Sequence, residues 1–200
     1  MTDVGLRERK KQRTREAIVE AALRLFEERG FDQTTIAEIA EAADIAPRTF
    51  FGYFPSKEDV VFADFQDVFD DLSARLSDRA EQETAIDAIR EWIAGLLEEI
   101  DPADDRERCR KRVIGDSPAL ADHNRALMGR IEELLAENIA RDLDDQPGDV
   151  RPRMIAAAVI GALSALDVKS AEQAPTHEEA LAMVDEALRF LRGGMDALRR

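Results

Sequence analysis

The sequence predicts an all-α fold, and three observations carry that prediction. Ala, Leu, Glu and Arg dominate the 200 residues, and all four are strong helix formers. Alternating β-branched runs are absent, whereas apolar residues recur at three- and four-residue spacing along most of the chain. Ser, Thr and Pro stand repeatedly where helices open, and Gly30 stands where the first long helix should close. With 44% hydrophobic residues the chain can build the core of one compact unit or of two small helical domains.

Residues 1 to 9 show no apolar periodicity and are expected to lack order by themselves. A long helix should follow from about Lys11 to Glu28, burying Ile18, Ala21, Ala22, Leu25 and Phe26, with Gly30 at its C′ position and Phe31 packing back. Thr35 then reads as an N-cap and Glu38 as the N3 partner of a capping box. The helix they open presents Ile36, Ile39, Ala40 and Ala43 on one face. After the turn Ala43-Asp44-Ile45-Ala46, Pro47 suits a first helical position, because its fixed φ is helical and its missing N–H is not needed there. The second short helix is therefore expected from Pro47 to Phe54. Phe50 and Phe54 would face the core, leaving Pro47, Arg48, Thr49, Gly52 and Tyr53 outside. Gly52 costs roughly 1 kcal/mol against Ala in a helix, so either a side chain there would collide or a contact is absent. Two short helices joined by a tight turn form a helix-turn-helix, whose outer face fits a DNA major groove.

Beyond Pro55, Ser56 should cap a helix to about Ala80, with Val61, Phe65, Val68, Phe69, Leu72 and Leu76 on its apolar face and Phe62 beside it. The next helix, about Thr84 to Ile100, would bury Ile86, Ile89, Ile93, Leu96, Leu97 and Ile100, with Trp92 at its edge and Asp101-Pro102 at its end. A short basic helix follows from about Asp104 to Ile114 and is expected to stop at Gly115. Ser117 caps a longer one from Pro118 to about Leu143, and Gln146-Pro147-Gly148 is a loop. From Val150 to about Gln173 the helix has a bulky face (Ile155, Val159, Ala162, Leu163, Leu166) and a small one (Ala157, Gly161, Ser164, Ala165). Thr176 and Glu179 open the last helix as a capping box, and Gly193-Gly194 should end it. About nine helices result. The last two carry more apolar surface than one chain can bury, which predicts a homodimer through them.

Charge is placed unevenly. Of the net −15, residues 1–60 carry only −2 and the remainder −13, while Arg7 to Arg15 alone carries +5. An acidic body would repel DNA and a basic arm attract it. No run of 18 uncharged apolar residues and no apolar leader occur, so neither membrane span nor signal peptide is expected, and a cytoplasmic location follows. The single cysteine, Cys109, agrees with a reducing compartment. Its basic neighbours could lower its pKa, but no motif supplies a base. His123 and His177 lie apart, without metal-ligand spacing, and phosphate-cradling glycine loops are missing. No enzyme, metal or cofactor is expected.

The order and spacing of G-F-D-Q-T-T (Gly30–Thr35), I-A-x-x-A (Ile39–Ala43) and T-F-F-x-Y-F-x-S-K-E (Thr49–Glu58) resemble the DNA-binding domain of the tetracycline-repressor (TetR) family of bacterial transcriptional regulators, over about Arg13 to Val61. The rest of the chain matches only in helix layout. The resemblance implies a DNA-binding domain at 1–55 and an effector-binding and dimerisation domain at 56–200, forming a homodimeric repressor of operator DNA. It implies that Thr35 gives its helix-terminal amide to a phosphate, that Arg48 reads base edges, that Thr49, beside Pro47, touches base or phosphate, and that Tyr53 and Lys57 hold the backbone. Two positions depart from the family pattern: Ala46 replaces a frequent Ser cap, and Phe51 a frequent Tyr, which removes a phosphate-contacting hydroxyl. A pocket lined by Phe65, Phe69, Trp92, Leu96, Val113 and Leu127 would take a small hydrophobic effector. Arg106 to Arg112 could accept an anionic group on it, and a fatty acyl-coenzyme A is one such effector among relatives. The other reading is a small-molecule binding or carrier protein whose helix-turn-helix is vestigial.

Overall fold

A computed structural model describes residues 3–99, 105–173 and 176–198, among which it forms helices and no strand. In order these are α1 (Asp3–Arg29), α2 (Ile36–Ala42), α3 (Pro47–Phe50), α4 (Lys57–Val61), α5 (Phe65–Ser77), α6 (Ala85–Glu99), α7 (Asp105–Asp116), α8 (Pro118–Leu143), α9 (Val150–Gln173) and α10 (His177–Leu198). The expectations placed on Ile100, Asp101-Pro102, Asp104 and the Leu166 side chain lie outside the described residues. Two compact units result: Met1–Phe65 with Asp104–Arg125, and Gln66–Ala103 with Ala126–Arg200.

In the first unit, α1 packs on α2, α4 and α7. Its buried stripe of Ile18, Val19, Ala22 and Phe26 meets Ile39, Phe50, Phe54, Val60 and Val61, together with Cys109, Val113 and Leu120. Compactness thus groups the chain differently from a boundary at 55/56, because α4, α7 and the head of α8 add their apolar faces to this core. Gly30 closes α1 as expected, with φ at +83° and its N–H given to Phe26 O at 2.8 Å.

Several ends moved. α1 begins eight residues before Lys11 and carries an exposed basic stretch, held by local bonds such as Arg9 Nε to Gly5 O and Gln12 Nε2 to Glu16 Oε1 rather than by burial. α3 keeps only Pro47–Phe50. Beyond it the chain tightens, with Gly52 N–H donating to Thr49 O and Tyr53 N–H to Phe50 O, three residues back in each case. A Cβ on Gly52 would stand 3.2 Å from Thr49 O, a crowded approach to the backbone that supports the steric explanation for this glycine. The single helix expected from Ser56 to Ala80 is broken at residues 62–64 into α4 and α5, which raises the helix count among the described residues to ten. Arg15 holds the chain at this break: its guanidinium donates to the Ala63 carbonyl and pairs with Asp64 at 3.5 Å. α7 runs through Gly115 to Asp116, and α10 through Gly193-Gly194 to Leu198, so none of these glycines ends its helix.

The second unit buries Leu72 and Leu76 of α5, Ile86 and Ile89 of α6, and Leu135 and Ile139 of α8. α10 packs on α9 and α6, and Arg90 grips Asp185 with two bonds of 2.6 and 3.0 Å. Thr84 and Asp87 cap α6 reciprocally, and Thr176 with Glu179 caps α10 as expected. Asp142 accepts from Arg79 at 2.9 Å and from the Ala85 N–H at 2.6 Å, tying α8 to the start of α6. The bulky face of α9 points inward (Ile155, Val159), and Ala157, Gly161, Ser164 and Ala165 point out.

Candidate nucleic-acid interface

The interface is built by α2, the turn after it, and α3. Thr35 and Glu38 form the capping box: Glu38 N–H reaches Thr35 Oγ1 at 3.3 Å, and Thr35 N–H reaches Glu38 Oε2 at 2.8 Å. The amide assigned to a phosphate is thus already donated to a carboxylate. That carboxylate is held below its usual pKa range by its hydrogen bonds from Thr35 and by the nearby Arg29 guanidinium. Thr35 is the N-cap of α2.

Asp44 makes the turn at φ +53°, a left-handed conformation that Asp tolerates better than most side chains. Ile45 N–H returns to Ala40 O at 2.9 Å and closes it. α3 then starts at Pro47 without a side-chain cap from Ala46. Phe50 and Phe54, both buried, anchor this segment from beneath, while Pro47, Arg48, Thr49 and Phe51 stand exposed on one rim. Tyr53 is half-buried against the same core.

Lys57 is turned inward. Its Nζ donates to Phe31 O at 2.8 Å and to Thr34 O at 3.2 Å, and lies 4.2 Å from the Phe31 ring centroid. Arg15, counted with the basic arm in the sequence, also works inside the unit, against Ala63, Asp64 and the Phe54 ring. Arg7, Arg9, Lys10, Lys11 and Arg13 remain exposed along the first turns of α1.

The effector candidates do not share one unit. Phe69, Trp92, Leu96 and Leu127 are half-buried in the second, with Trp92 Nε1 donating to Asp71 Oδ2 at 2.7 Å and Arg130 lying 4.6 Å from the Phe69 centroid. Phe65 falls at the end of the first unit's opening segment, and Val113 is a core residue of that unit. A cleft of 520 Å³ in the second unit is lined by Gly129, Glu132, Glu133, Ala136, Glu137, Pro147, Gly148 and Arg153, a poor match for an apolar molecule. The basic face of α7 is matched within its own unit, with Arg110 on Asp64 at 2.8 Å and Arg112 on Glu27 at 2.5 Å. Cys109 is buried, its Sγ 3.5 Å from Leu23 O; burial first, and Glu27 second, push its pKa up, opposite to the effect of its basic neighbours. Among the described residues no cluster of His, Cys, Asp and Glu could hold a metal ion, and no helix is long and apolar enough to cross a membrane.

A helix-turn-helix set on a buried helical core is the arrangement of a DNA-binding protein. Residues 18–63 match bacterial regulatory proteins of the tetR family, and residues 83–196 match the MftR C-terminal domain. The chain is 34% identical to the HTH-type transcriptional regulator TcmR of Streptomyces glaucescens, over 76% of this chain and 71% of that one. It is 28% identical, over 96% of both chains, to a Mycobacterium tuberculosis protein, MftR, named for regulation of mycofactocin biosynthesis. Among solved structures, Thermus thermophilus FadR, a TetR-family repressor in complex with lauroyl-CoA, superposes with a TM-score of 0.61 at 25% identity, over 90% of this chain and 94% of that one. The chain belongs to the TetR family. Its relatives are transcriptional regulators rather than enzymes.

Proposed function

We propose that this regulator is a homodimeric repressor released from its operator by a small hydrophobic effector. The observation that carries the reading is the rim of Pro47, Arg48 and Thr49, exposed above the buried Phe50 and Phe54, which offers polar groups to a groove from a fixed base. A carrier protein with a vestigial helix-turn-helix would have no use for that arrangement. The dimer is supported by an apolar stripe left uncovered on α9, from Val150 and Met154 through Ala157 to Gly161, and by Phe190 of α10, 81% exposed. Arg48 takes the base-reading role, most often a guanine through O6 and N7, and Thr49 touches base or phosphate.

The effector is apolar, in keeping with Phe69, Trp92, Leu96 and Leu127, and an acyl-coenzyme A is a candidate because FadR of Thermus thermophilus binds one. Two recognition helices enter successive major grooves only about 34 to 36 Å apart, so an effector that prefers another spacing releases the DNA. A preference of about 10⁴-fold, roughly 5.5 kcal/mol, empties the binding-competent state. By reciprocity operator DNA weakens effector binding by the same factor.

The test begins with a gel shift on the DNA upstream of the protein's own gene, and with native mass spectrometry of the protein from its host to find the effector. Effector affinity is then measured with and without operator. Equal affinities would remove the induction mechanism, and tighter binding on DNA would make the effector a co-repressor.

A further inference from the structure

We propose that Phe51 reads a thymine by its methyl group in each operator half-site; the inference rests on the DNA-binding reading above. Phe26, Phe31, Phe50 and Phe54 are buried, yet Phe51 is 58% exposed. It stands two residues after the exposed Pro47, Arg48 and Thr49, on the same short segment. Its position is set from below: the ring meets Phe50 edge-on at 5.6 Å and 83°, and Phe50 is fully buried, so the contact is made to a fixed partner. Its backbone is helical, at φ −67° and ψ −11°, and the next residue, Gly52, adds no side chain to crowd it.

What such a ring can recognise in a major groove is limited. The base edges there present nitrogen and oxygen donors and acceptors, and one apolar group, the C5-methyl of thymine. A phenyl ring has no hydrogen bond to give a phosphate, and sugar carbons carry no sequence information. An exposed apolar ring beside Arg48 and Thr49 therefore adds apolar readout to polar readout on the same rim.

Duplexes selected from a random pool by the full-length wild-type protein supply the operator, and each thymine in it is then replaced by deoxyuridine, which removes the methyl and nothing else. One thymine position per half-site is expected to lose about fourfold in affinity, and about fifteenfold with both half-sites replaced, the value of burying one methyl-sized group. Phe51→Ala should bind thymine and deoxyuridine duplexes equally, with an unchanged circular-dichroism spectrum. Tolerance of deoxyuridine at every position, or an equal loss in wild type and Phe51→Ala, overturns the assignment while leaving the DNA-binding reading intact. Unchanged DNA binding by Phe51→Ala with altered sedimentation also overturns it, since the ring would then contact a second protein copy. Selection of no duplex at all would remove both readings.

Discussion

The Lys57 ammonium lies 2.8 Å from the Phe31 carbonyl oxygen and 4.2 Å from the centroid of the Phe31 ring. One residue at the head of α4 thereby holds the loop that delivers Thr35 to the start of α2, since its second bond goes to Thr34 O. Lys57→Ala removes both bonds and leaves two part-buried carbonyls to find water. We expect it to cost about 1 to 3 kcal/mol of stability in the first unit, read by urea denaturation, and to weaken cognate and random DNA alike. A variant as stable as wild type would show that Lys57 acts on DNA alone.

Arg48 is exposed at the rim and the described contacts of the first unit do not depend on it, so Arg48→Ala should fold normally. It should cost about 1 to 3 kcal/mol in operator affinity and relax the preference at one base pair per half-site. Competition gel shifts with cognate and random duplexes decide the matter. An equal loss on both would move Arg48 from base to phosphate.

Phe190 is 81% exposed on α10, and the uncovered stripe of α9 includes Gly161. Phe190→Glu should leave the fold of the single chain within about 0.5 kcal/mol of wild type and shift sedimentation toward monomer as the protein is diluted. Operator affinity should fall with it, because two half-sites are held by one dimer. A variant that stays dimeric would place the interface elsewhere.

Asp64 links α1, α7 and the break between α4 and α5 through Arg15 and Arg110. Burial pushes its pKa up, but the Arg110 hydrogen bond and charge, with Arg106 and Arg15, outweigh it and the net shift is downward. A carboxylate with a lowered folded pKa contributes stability that is present above its unfolded value, about 3.9, and is lost as pH falls through the folded value. Asp64→Asn should therefore be less stable than wild type at neutral pH, with the gap closing below about pH 4. A gap independent of pH would assign the loss to packing.

The capping residues Thr35, Ser56, Ser117 and Thr176, the start at Pro47, and the inward faces of α1 and α9 were legible in the sequence, because each depends on neighbours within a few residues: a side-chain oxygen and an amide three positions on, or a stripe at helical period. The pattern from Gly30 to Glu58 likewise sufficed to place the helix-turn-helix, and Phe51 could have been singled out there, since it lies about 100° around the helix from the inward Phe50. Only the tertiary structure decided what depends on partners distant in sequence. Arg15 reaches 48 residues along to the Ala63 carbonyl in the break between α4 and α5, Lys57 reaches carbonyls more than 20 residues before it, and Val113 packs into the core with α1. Periodicity says that a face is apolar or that a charge is near a helix end. It does not say which surface of the same chain will arrive to meet it, because that depends on how distant segments pack.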